Sequence, residues 1–101
     1  MSSRQVIFSP ESSRHLRELE DYLADRFYPA NAERYIRRLT KACLSLGAAP
    51  FRGTKRDDLA PGMRFTGFEH RVKIFFKVVG DKVYIVGIFY GGREGESVLL
   101  K

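Results

Sequence analysis

The sequence contains a single cysteine, Cys43, and no tryptophan. One cysteine cannot form an internal disulfide, which excludes a disulfide-stabilised secreted scaffold and favours a reducing environment. No apolar run approaches the roughly 20 residues that a membrane-spanning helix needs. The N-terminal residues 1–5 carry no apolar segment of the kind found in signal peptides. We therefore expect a cytoplasmic protein without a membrane partner.

The motifs that commonly hold metals or nucleotides are also missing. The sequence has no Cys-x-x-Cys, no His-x-x-x-His and no phosphate-binding glycine-rich loop. His15 and His70 are far apart in the chain, and His15 is expected at the surface among charged residues. Cys43 falls on an apolar helical stripe with no activating partner beside it. The sequence therefore predicts neither a metal site nor a cofactor.

The chain is short and basic. Its 101 residues, of which 44% are hydrophobic, suffice for one domain with one core, residues 1–101. Lysine and arginine outnumber aspartate and glutamate by 18 to 12, so the net charge is +6 at pH 7. A small basic domain tends to bind nucleic acid, an acidic protein or another acidic surface, and charge alone does not choose among them.

Two helices are predicted in the first half of the chain. The first follows a short strand at Gln5–Phe8, has Ser9 as its N-cap and ends near Phe27. The second is capped by Asn31 and ends before Gly47. Their short connection predicts an antiparallel pair. Their apolar stripes contain Leu16, Leu19, Leu23 and Phe27 on the first helix and Tyr35, Ile36, Leu39, Cys43 and Leu46 on the second.

Three strands are predicted in the second half, at residues 63–68, 70–79 and 82–90. The last two are joined by Gly80-Asp81, and a two-residue loop that begins with glycine is typical of a type II′ β-hairpin. The last strand is apolar on both faces, so we expect it inside the sheet. The order β-α-α-β-β-β predicts an α+β domain, with the helical hairpin packed on one face of a small, mostly antiparallel twisted sheet.

Counting back from the hairpin loop divides the last two strands into two faces. One face is wholly apolar and is predicted to receive the helices. The second face mixes cations with aromatic and aliphatic side chains, a combination typical of a binding surface. Its predicted residues are Arg71, Lys73, Phe75, Lys77, Tyr84, Val86, Ile88 and Tyr90. Either the C-terminal Val98-Leu99-Leu100 or an apolar, acidic partner chain would suit this face.

One catalytic reaction can be considered for these residues, which is RNA cleavage. That reaction needs a base for the ribose 2′-hydroxyl, an acid for the leaving oxygen and cations for the developing charge. The available cations are Arg64, Arg71, Lys73 and Arg93, and the available proton-transfer groups are Tyr90, His70 and Glu69. Any basic sheet protein offers a comparable set, so these residues alone do not show that the chain is an enzyme.

Several segments in succession resemble the ParE branch of the RelE/ParE toxin superfamily. VIFSPESSRHLRELEDYLADRF is followed by APFRGTKRDDLAPGMRF, then by HRVKIFFKV and VYIVGIFYGGRE. Each piece is weakly specific, but their order covers nearly the whole chain. The resemblance implies the toxin of a bacterial type II toxin–antitoxin pair, with a helical hairpin on a small antiparallel sheet.

The resemblance also implies an activity and two partners. ParE toxins inhibit DNA gyrase by binding, which blocks replication, and an acidic ParD-like antitoxin neutralises them. RelE relatives instead cut mRNA on the ribosome. We expect gyrase inhibition without catalysis, because the Pro-Gly-Met-Arg turn and the Gly-Gly-Arg exit look more like ParE. The alternatives are a RelE-like mRNA endonuclease that uses Arg71, Tyr90 and Arg93, and a non-toxic relative that binds only its antitoxin or nucleic acid.

Two sets of binding residues follow from the resemblance. The target-binding set would form a cationic surface for gyrase, alone or with its DNA, and comprises Arg64, Arg71, Lys73 and Arg93. The antitoxin-binding set combines helix and sheet residues and comprises Leu16, Leu19, Phe75, Lys77, Tyr84, Val86 and Ile88.

Overall fold

A computed structural model describes residues 3–91 of the chain. Its elements are β1 (Gln5–Phe8), α1 (Pro10–Arg26), α2 (Pro29–Leu44), a 3₁₀ turn (Ser45–Gly47), β2 (Thr54–Lys55), β3 (Met63–Phe68), β4 (Val72–Val79) and β5 (Lys82–Tyr90). Two helices pack on one five-stranded mixed sheet, which confirms the predicted α+β class. The predicted C-terminal segment Val98-Leu99-Leu100 lies outside the described residues.

The strand order in the sheet is β1-β5-β4-β3-β2. The last strand, β5, therefore lies inside the sheet as predicted, between β4 and β1. β1 pairs with β5 in parallel, whereas the other neighbouring strands are antiparallel. The short edge strand β2 was not predicted from the sequence. Within residues 3–91, no helix is long and apolar enough to cross a membrane.

The starts of the two helices differ in how well the sequence predicted them. Ser9 caps α1 as predicted, and its Oγ accepts a hydrogen bond from the Ser12 backbone N–H at 3.0 Å. The prediction that Asn31 caps α2 was wrong, because α2 begins at Pro29 and Tyr28 occupies the N-cap position. Proline suits the first turn of a helix, where its missing N–H would have no helical partner.

Gly47 does not have the role that the sequence predicted for it, which was to end the second helix. The chain continues beyond α2 through a 3₁₀ turn, and Gly47 does not have a positive φ angle. Its carbonyl accepts a hydrogen bond from the Arg4 backbone N–H at 2.9 Å. A Cβ atom at Gly47 would lie only 2.4 Å from the Arg4 carbonyl oxygen. Glycine is therefore needed here because the helix end passes directly against the start of β1.

The main hydrophobic core lies between the helices and the sheet face that they cover. Its buried side chains come from both helices, the 3₁₀ turn, β4 and β5. They include Leu19, Leu23, Leu39, Cys43, Leu46, Val72, Ile74, Phe76, Val83, Ile85 and Ile88. Most residues of the two predicted apolar stripes are thus confirmed as core, but the placement of Phe27 on the first stripe was wrong, because it is 60% exposed.

The predicted register of the last hairpin is correct near its loop and wrong beyond it. The two-residue loop Gly80-Asp81 is present, and Gly80 has the positive φ of +59° that a type II′ turn needs at this position. Pairing then runs regularly to Phe76 opposite Ile85, but the next residue of β4 lies opposite Gly87. Val86 is therefore the additional residue of a β-bulge, which reverses the predicted facing of the β5 residues that follow.

The bulge moves Ile88 and Tyr90 to the helix-covered face, and Ile88 is only 5% exposed. It also places Phe89 on the opposite sheet face, which we call the far face. There Phe75 is 0% exposed and packs between Phe65 and Phe89, with ring centroids at 5.5 and 5.7 Å. The prediction of Phe75 and Ile88 as exposed binding residues was therefore wrong, because both are buried within the chain itself.

The turn between β3 and β4 contains two residues with unusual backbone conformations. The predicted strand begins at residue 70, whereas β4 begins at Val72. Glu69 and His70 have φ angles of 49° and 61°, in the left-handed region that glycine usually occupies. This turn lies beside the end of β5, because Val72 pairs with Tyr90.

Candidate functional site

Tyrosine rings gather where the helical hairpin turns over the end of β5, in a region that we call the Tyr90 corner. The Tyr90 ring centroid lies 5.7 Å from that of Tyr22 on α1 and 6.5 Å from that of Tyr35 on α2. Tyr35 also contacts Phe68 at the end of β3, at 5.5 Å. The corner thus joins both helices to the sheet through aromatic contacts.

An ion pair ties α2 to the strained turn at the same corner. The Arg38 guanidinium donates two hydrogen bonds to the Glu69 carboxylate, at 3.0 and 3.1 Å. These bonds lower the pKa of Glu69 and raise the pKa of Arg38, so both groups stay charged. The guanidinium also lies 5.3 Å from the Tyr35 ring centroid. Arg38 and Glu69 therefore neutralise each other while they hold the turn against the helix.

The Tyr35 hydroxyl is buried and has no hydrogen-bond partner within residues 3–91. Burial raises the pKa of this phenol, and the nearby Glu69 and Tyr90 raise it further, although Arg38 and Arg71 act in the opposite direction. Tyr35 is therefore a neutral phenol at pH 7. A cavity of about 410 Å³ adjoins it, lined by Leu23, Phe27, Asn31, Ala32, Arg34, Tyr35, Arg38 and Tyr90.

The structure brings together two of the three predicted nuclease residues. Arg71 is exposed in the turn before β4, and its carbonyl accepts a hydrogen bond from the Gly91 N–H, the residue after Tyr90, at 2.6 Å. The Tyr90 hydroxyl makes no hydrogen bond to a His, Asp or Glu side chain in the described part of the chain. Arg93 lies outside the described residues. The corner therefore brings a tyrosine and a cation together. Within residues 3–91, no acid or base is hydrogen-bonded to that tyrosine.

The other two predicted cations lie elsewhere. Lys73 is on the far face, where its ammonium group is 5.3 Å from the Phe65 ring centroid. Arg64 donates hydrogen bonds to the backbone carbonyls of Phe51 and Arg52, at 2.6 and 3.2 Å. The predicted cationic surface is thus divided, because Lys73 and Tyr90 occupy opposite faces of the sheet and Arg64 holds a loop.

The predicted antitoxin-binding residues also fall into separate groups. Leu19, Phe75 and Ile88 are buried in the chain. Leu16 is half-buried and lines a groove of about 330 Å³ between the helices and β1, together with Phe8, Ser13, Arg17, Glu20, Ile36 and Thr40. The remaining residues, Lys77, Tyr84 and Val86, are half-buried on the sheet.

The surroundings of His15 and Cys43 indicate structural roles for both residues. The predicted surface location of His15 was wrong, because it is half-buried and its Nδ1 accepts a hydrogen bond from the Ile88 N–H at 3.1 Å. Burial raises the pKa of the Cys43 thiol to about 12, so it is not a nucleophile near neutral pH. Within residues 3–91, no group of three or more His, Cys, Asp or Glu side chains is placed to hold a metal ion.

Sequence reasoning missed the contributions of Tyr35 and Arg38. The available signal was their spacing of three residues on one helix, which places them on the same face. That spacing does not reveal their partner, because Glu69 is 31 residues from Arg38 and reaches it only through the pairing of β3 with β4.

Two solved toxin–antitoxin structures have the same fold as this chain. One is a chromosomal ParDE system from P. aeruginosa, with a TM-score of 0.77, 18% identity and coverage of 88% of this chain and 97% of that one. The other is the RelBE2 toxin–antitoxin complex from Mycobacterium tuberculosis, with a TM-score of 0.66, 16% identity and coverage of 92% and 97%. The fold is therefore that of the RelE/ParE toxins.

Sequence comparison identifies the family within that class. The family model described as "ParE toxin of type II toxin-antitoxin system, parDE" matches residues 6–95. Toxin ParE1 from Mycobacterium tuberculosis strains CDC 1551 and H37Rv is 35% identical over 82 residues, which cover 80% of this chain and 81% of the relative. The chain belongs to the ParE toxin family of type II toxin–antitoxin systems.

Proposed function

We propose that this toxin binds and inhibits DNA gyrase, blocks replication and is neutralised by an acidic ParD-like antitoxin. The observation that carries the proposal is the match of the ParE family model across residues 6–95. The Tyr90 corner supports binding over catalysis, because the Tyr90 hydroxyl has no bonded acid–base partner within residues 3–91. In this proposal the chain is not an enzyme.

Arg71 is the exposed cation that we assign first to the gyrase surface. It lies in the turn before β4, and no carboxylate among residues 3–91 forms an ion pair with it. Lys73 is also exposed and extends the positive charge onto the far face. The proposed target surface also includes Arg93, which follows Tyr90 by three positions in the sequence. DNA held by gyrase is a suitable ligand for these cations, since phosphate contacts dominate protein–DNA affinity.

The antitoxin is proposed to bind the groove that Leu16 lines. Leu16, Phe8 and Ile36 supply its apolar surface, and Arg17 and Glu20 supply one charge of each sign at the same site. The apolar face of an amphipathic antitoxin segment would match this groove. The antitoxin surface is proposed to continue over Lys77, Tyr84 and Val86 on the sheet.

The first experiment is to induce the chain alone in a bacterial host and follow thymidine and methionine incorporation together. We expect thymidine incorporation to fall first while translation continues. Purified gyrase should then show reduced supercoiling and more cleaved DNA in the presence of the toxin. Unchanged incorporation of both labels, despite abundant folded protein, would contradict the proposal.

The residue assignment is tested with Arg71→Ala, and Arg37→Ala is the matched control. Arg37 is an exposed arginine on α2 that pairs with Glu33 one helical turn away. We expect Arg71→Ala to weaken gyrase inhibition about tenfold and Arg37→Ala to leave it unchanged, since an interfacial charged contact contributes on the order of 1–3 kcal/mol. Antitoxin titration of both variants then separates loss of target binding from loss of neutralisation.

Cleavage of mRNA on the ribosome is the second candidate. It is favoured by the meeting of Arg71 and Tyr90 at one corner and by the fold shared with the RelBE2 complex. In that case methionine incorporation would fall before thymidine incorporation. Tyr90→Phe would abolish the effect if the phenol transfers a proton, whereas gyrase inhibition by binding does not require that proton.

A further inference from the structure

Phe51 exposes an aromatic ring at the end of the molecule away from the Tyr90 corner. Its side chain is 61% exposed, which is unusual for a residue of this size. Two guanidinium groups lie over the ring in cation–π contacts, Arg4 at 5.3 Å and Arg64 at 5.8 Å from its centroid. Because the residue is still 61% exposed with these cations in place, part of its aromatic surface is available to a planar, negatively charged ligand.

Both guanidinium groups are held by backbone carbonyls. Arg64 donates to the carbonyls of Phe51 and Arg52, and Arg4 donates to the carbonyl of Gly80 at 3.2 Å. The Arg64 bonds connect β3 to the Phe51 loop, and the Arg4 bond connects the segment before β1 to the β4–β5 hairpin loop. The cations are therefore positioned around the ring before any ligand arrives.

Among residues 3–91, no carboxylate neutralises the charge of this surface. No carboxylate among residues 3–91 lies within ion-pair distance of Arg4, Arg52 or Arg64. The carboxylate next to Gly80 belongs to Asp81, and it pairs with Lys82 at 3.3 Å. Elsewhere, carboxylates of the same chain pair with Arg14, Arg37, Arg38 and Arg56.

We infer that Phe51, Arg4 and Arg64 form a binding site for single-stranded nucleic acid, in which a base stacks on Phe51 and the arginines contact the adjoining phosphates. Single-strand sites combine an aromatic platform with a cationic track in this way. An acidic peptide would match the charge but carries no planar ring at every residue, whereas each nucleotide supplies both groups. The inference goes beyond the proposed gyrase inhibition and does not depend on it.

The test measures binding of the purified full-length chain to fluorescein-labelled oligodeoxyuridine and oligouridine of about ten nucleotides, a typical single-strand site size. Fluorescence anisotropy is read at about 50 mM salt, where phosphate contacts are strong. We expect saturable binding of at least one strand. Preference for one sugar identifies DNA or RNA as the source, and binding of neither strand overturns the inference.

Phe51→Ala is expected to weaken binding about tenfold, because one stacked base is lost. Phe51→Tyr should keep nearly the full affinity, since it retains the ring. The matched control is Phe27→Ala, because Phe27 is 60% exposed at the opposite end of the molecule. An affinity of Phe51→Ala within twofold of the unchanged chain, or an equal loss in Phe27→Ala, would overturn the stacking role.

Two further measurements define the ligand. Arg4→Gln should lower the slope of log affinity against log salt by about 0.7, the value for one single-strand phosphate contact. Labelled polyglutamate should bind weakly and without dependence on Phe51. Polyglutamate binding that Phe51→Ala abolishes would assign the site to an acidic peptide and overturn the inference. Circular dichroism of each variant confirms that the fold is retained.

Discussion

At the scale of single residues, the turn between β3 and β4 holds both non-glycine residues with positive φ angles found among residues 3–91. His70 has a φ angle of 61°, and a side chain with a Cβ atom is disfavoured in this left-handed region. We predict that His70→Gly raises the free energy of unfolding by about 0.5–1 kcal/mol, because relief of strain exceeds the entropic cost of glycine. Urea denaturation at neutral pH measures this change.

The control for His70→Gly is the opposite substitution in the other hairpin. Gly80 has a φ angle of +59°, and nothing lies within 4 Å of where a Cβ atom would stand. Gly80→Ala therefore tests backbone conformation without a steric clash, and it should lower the free energy of unfolding. A stability loss in His70→Gly would mean that contacts of the imidazole outweigh the strain.

At the scale of elements, the contact between α2 and this turn predicts a dependence on pH. The Arg38 hydrogen bonds lower the pKa of Glu69 below its ordinary value of 4.5. A carboxyl group whose pKa is lower in the folded state contributes stability above its unfolded pKa and loses it as the pH falls through the folded pKa. Below about pH 4.5 the chain should therefore lose part of its stability as Glu69 becomes protonated.

Arg38→Gln isolates the contribution of this ion pair. We predict that the variant is less stable at pH 7 and that its stability falls less steeply as the pH drops below about 4.5. The pKa of Asp58 is also lowered, by its hydrogen bonds from Arg56. Both residues are present in both proteins, so their contribution to the pH dependence cancels in the comparison. Arg34→Gln is the control, because Arg34 bonds Asn31 and not a carboxylate. The urea midpoint of each protein is measured as a function of pH. If the midpoints of Arg38→Gln and the unchanged chain fall by the same amount as the pH drops, the assignment is contradicted.

Elements set by local chemistry could be predicted from the sequence. The Ser9 cap and the Gly80-Asp81 loop depend on neighbouring residues only, and both were predicted correctly. The start of α2 was misplaced because Asn31 was predicted as its N-cap, although Pro29 also fits the first turn of a helix. Both residues favour a helix start, so the local sequence alone did not decide between them.

Features set by contacts between distant segments could not be predicted. The bulge at Val86 lies where α1 meets the edge of β5, because the Ser9 hydroxyl donates to the Val86 carbonyl and His15 accepts from Ile88. These partners are more than 70 positions apart, so no pattern within β5 reveals them. The candidate site was only partly predictable for the same reason, since the bulge decides that Tyr90 faces the helices.

At the scale of the whole molecule, the sheet carries apolar layers on both faces. The helices cover one layer, and the aromatic cluster of Phe65, Phe75 and Phe89 forms the other, with Met63 buried on the same face. Part of the apolar surface on the far face is therefore buried by side chains of the sheet itself, without any contribution from the helices. Because Phe75 is 0% exposed, its ring is not accessible as a direct contact for a partner on this face.

The last prediction follows from the burial of Phe75. Because its ring is 0% exposed, Phe75→Ala should lower the free energy of unfolding by about 3–5 kcal/mol, as expected for a large cavity in a core. Leu39→Ala, which removes a fully buried side chain from the helix-covered core, should cost a comparable 2–5 kcal/mol or so. Urea denaturation measures both, and Phe75→Leu serves if the alanine variant does not fold. A loss below about 1 kcal/mol for Phe75→Ala would show that the far-face cluster is loosely packed and open to a partner after all.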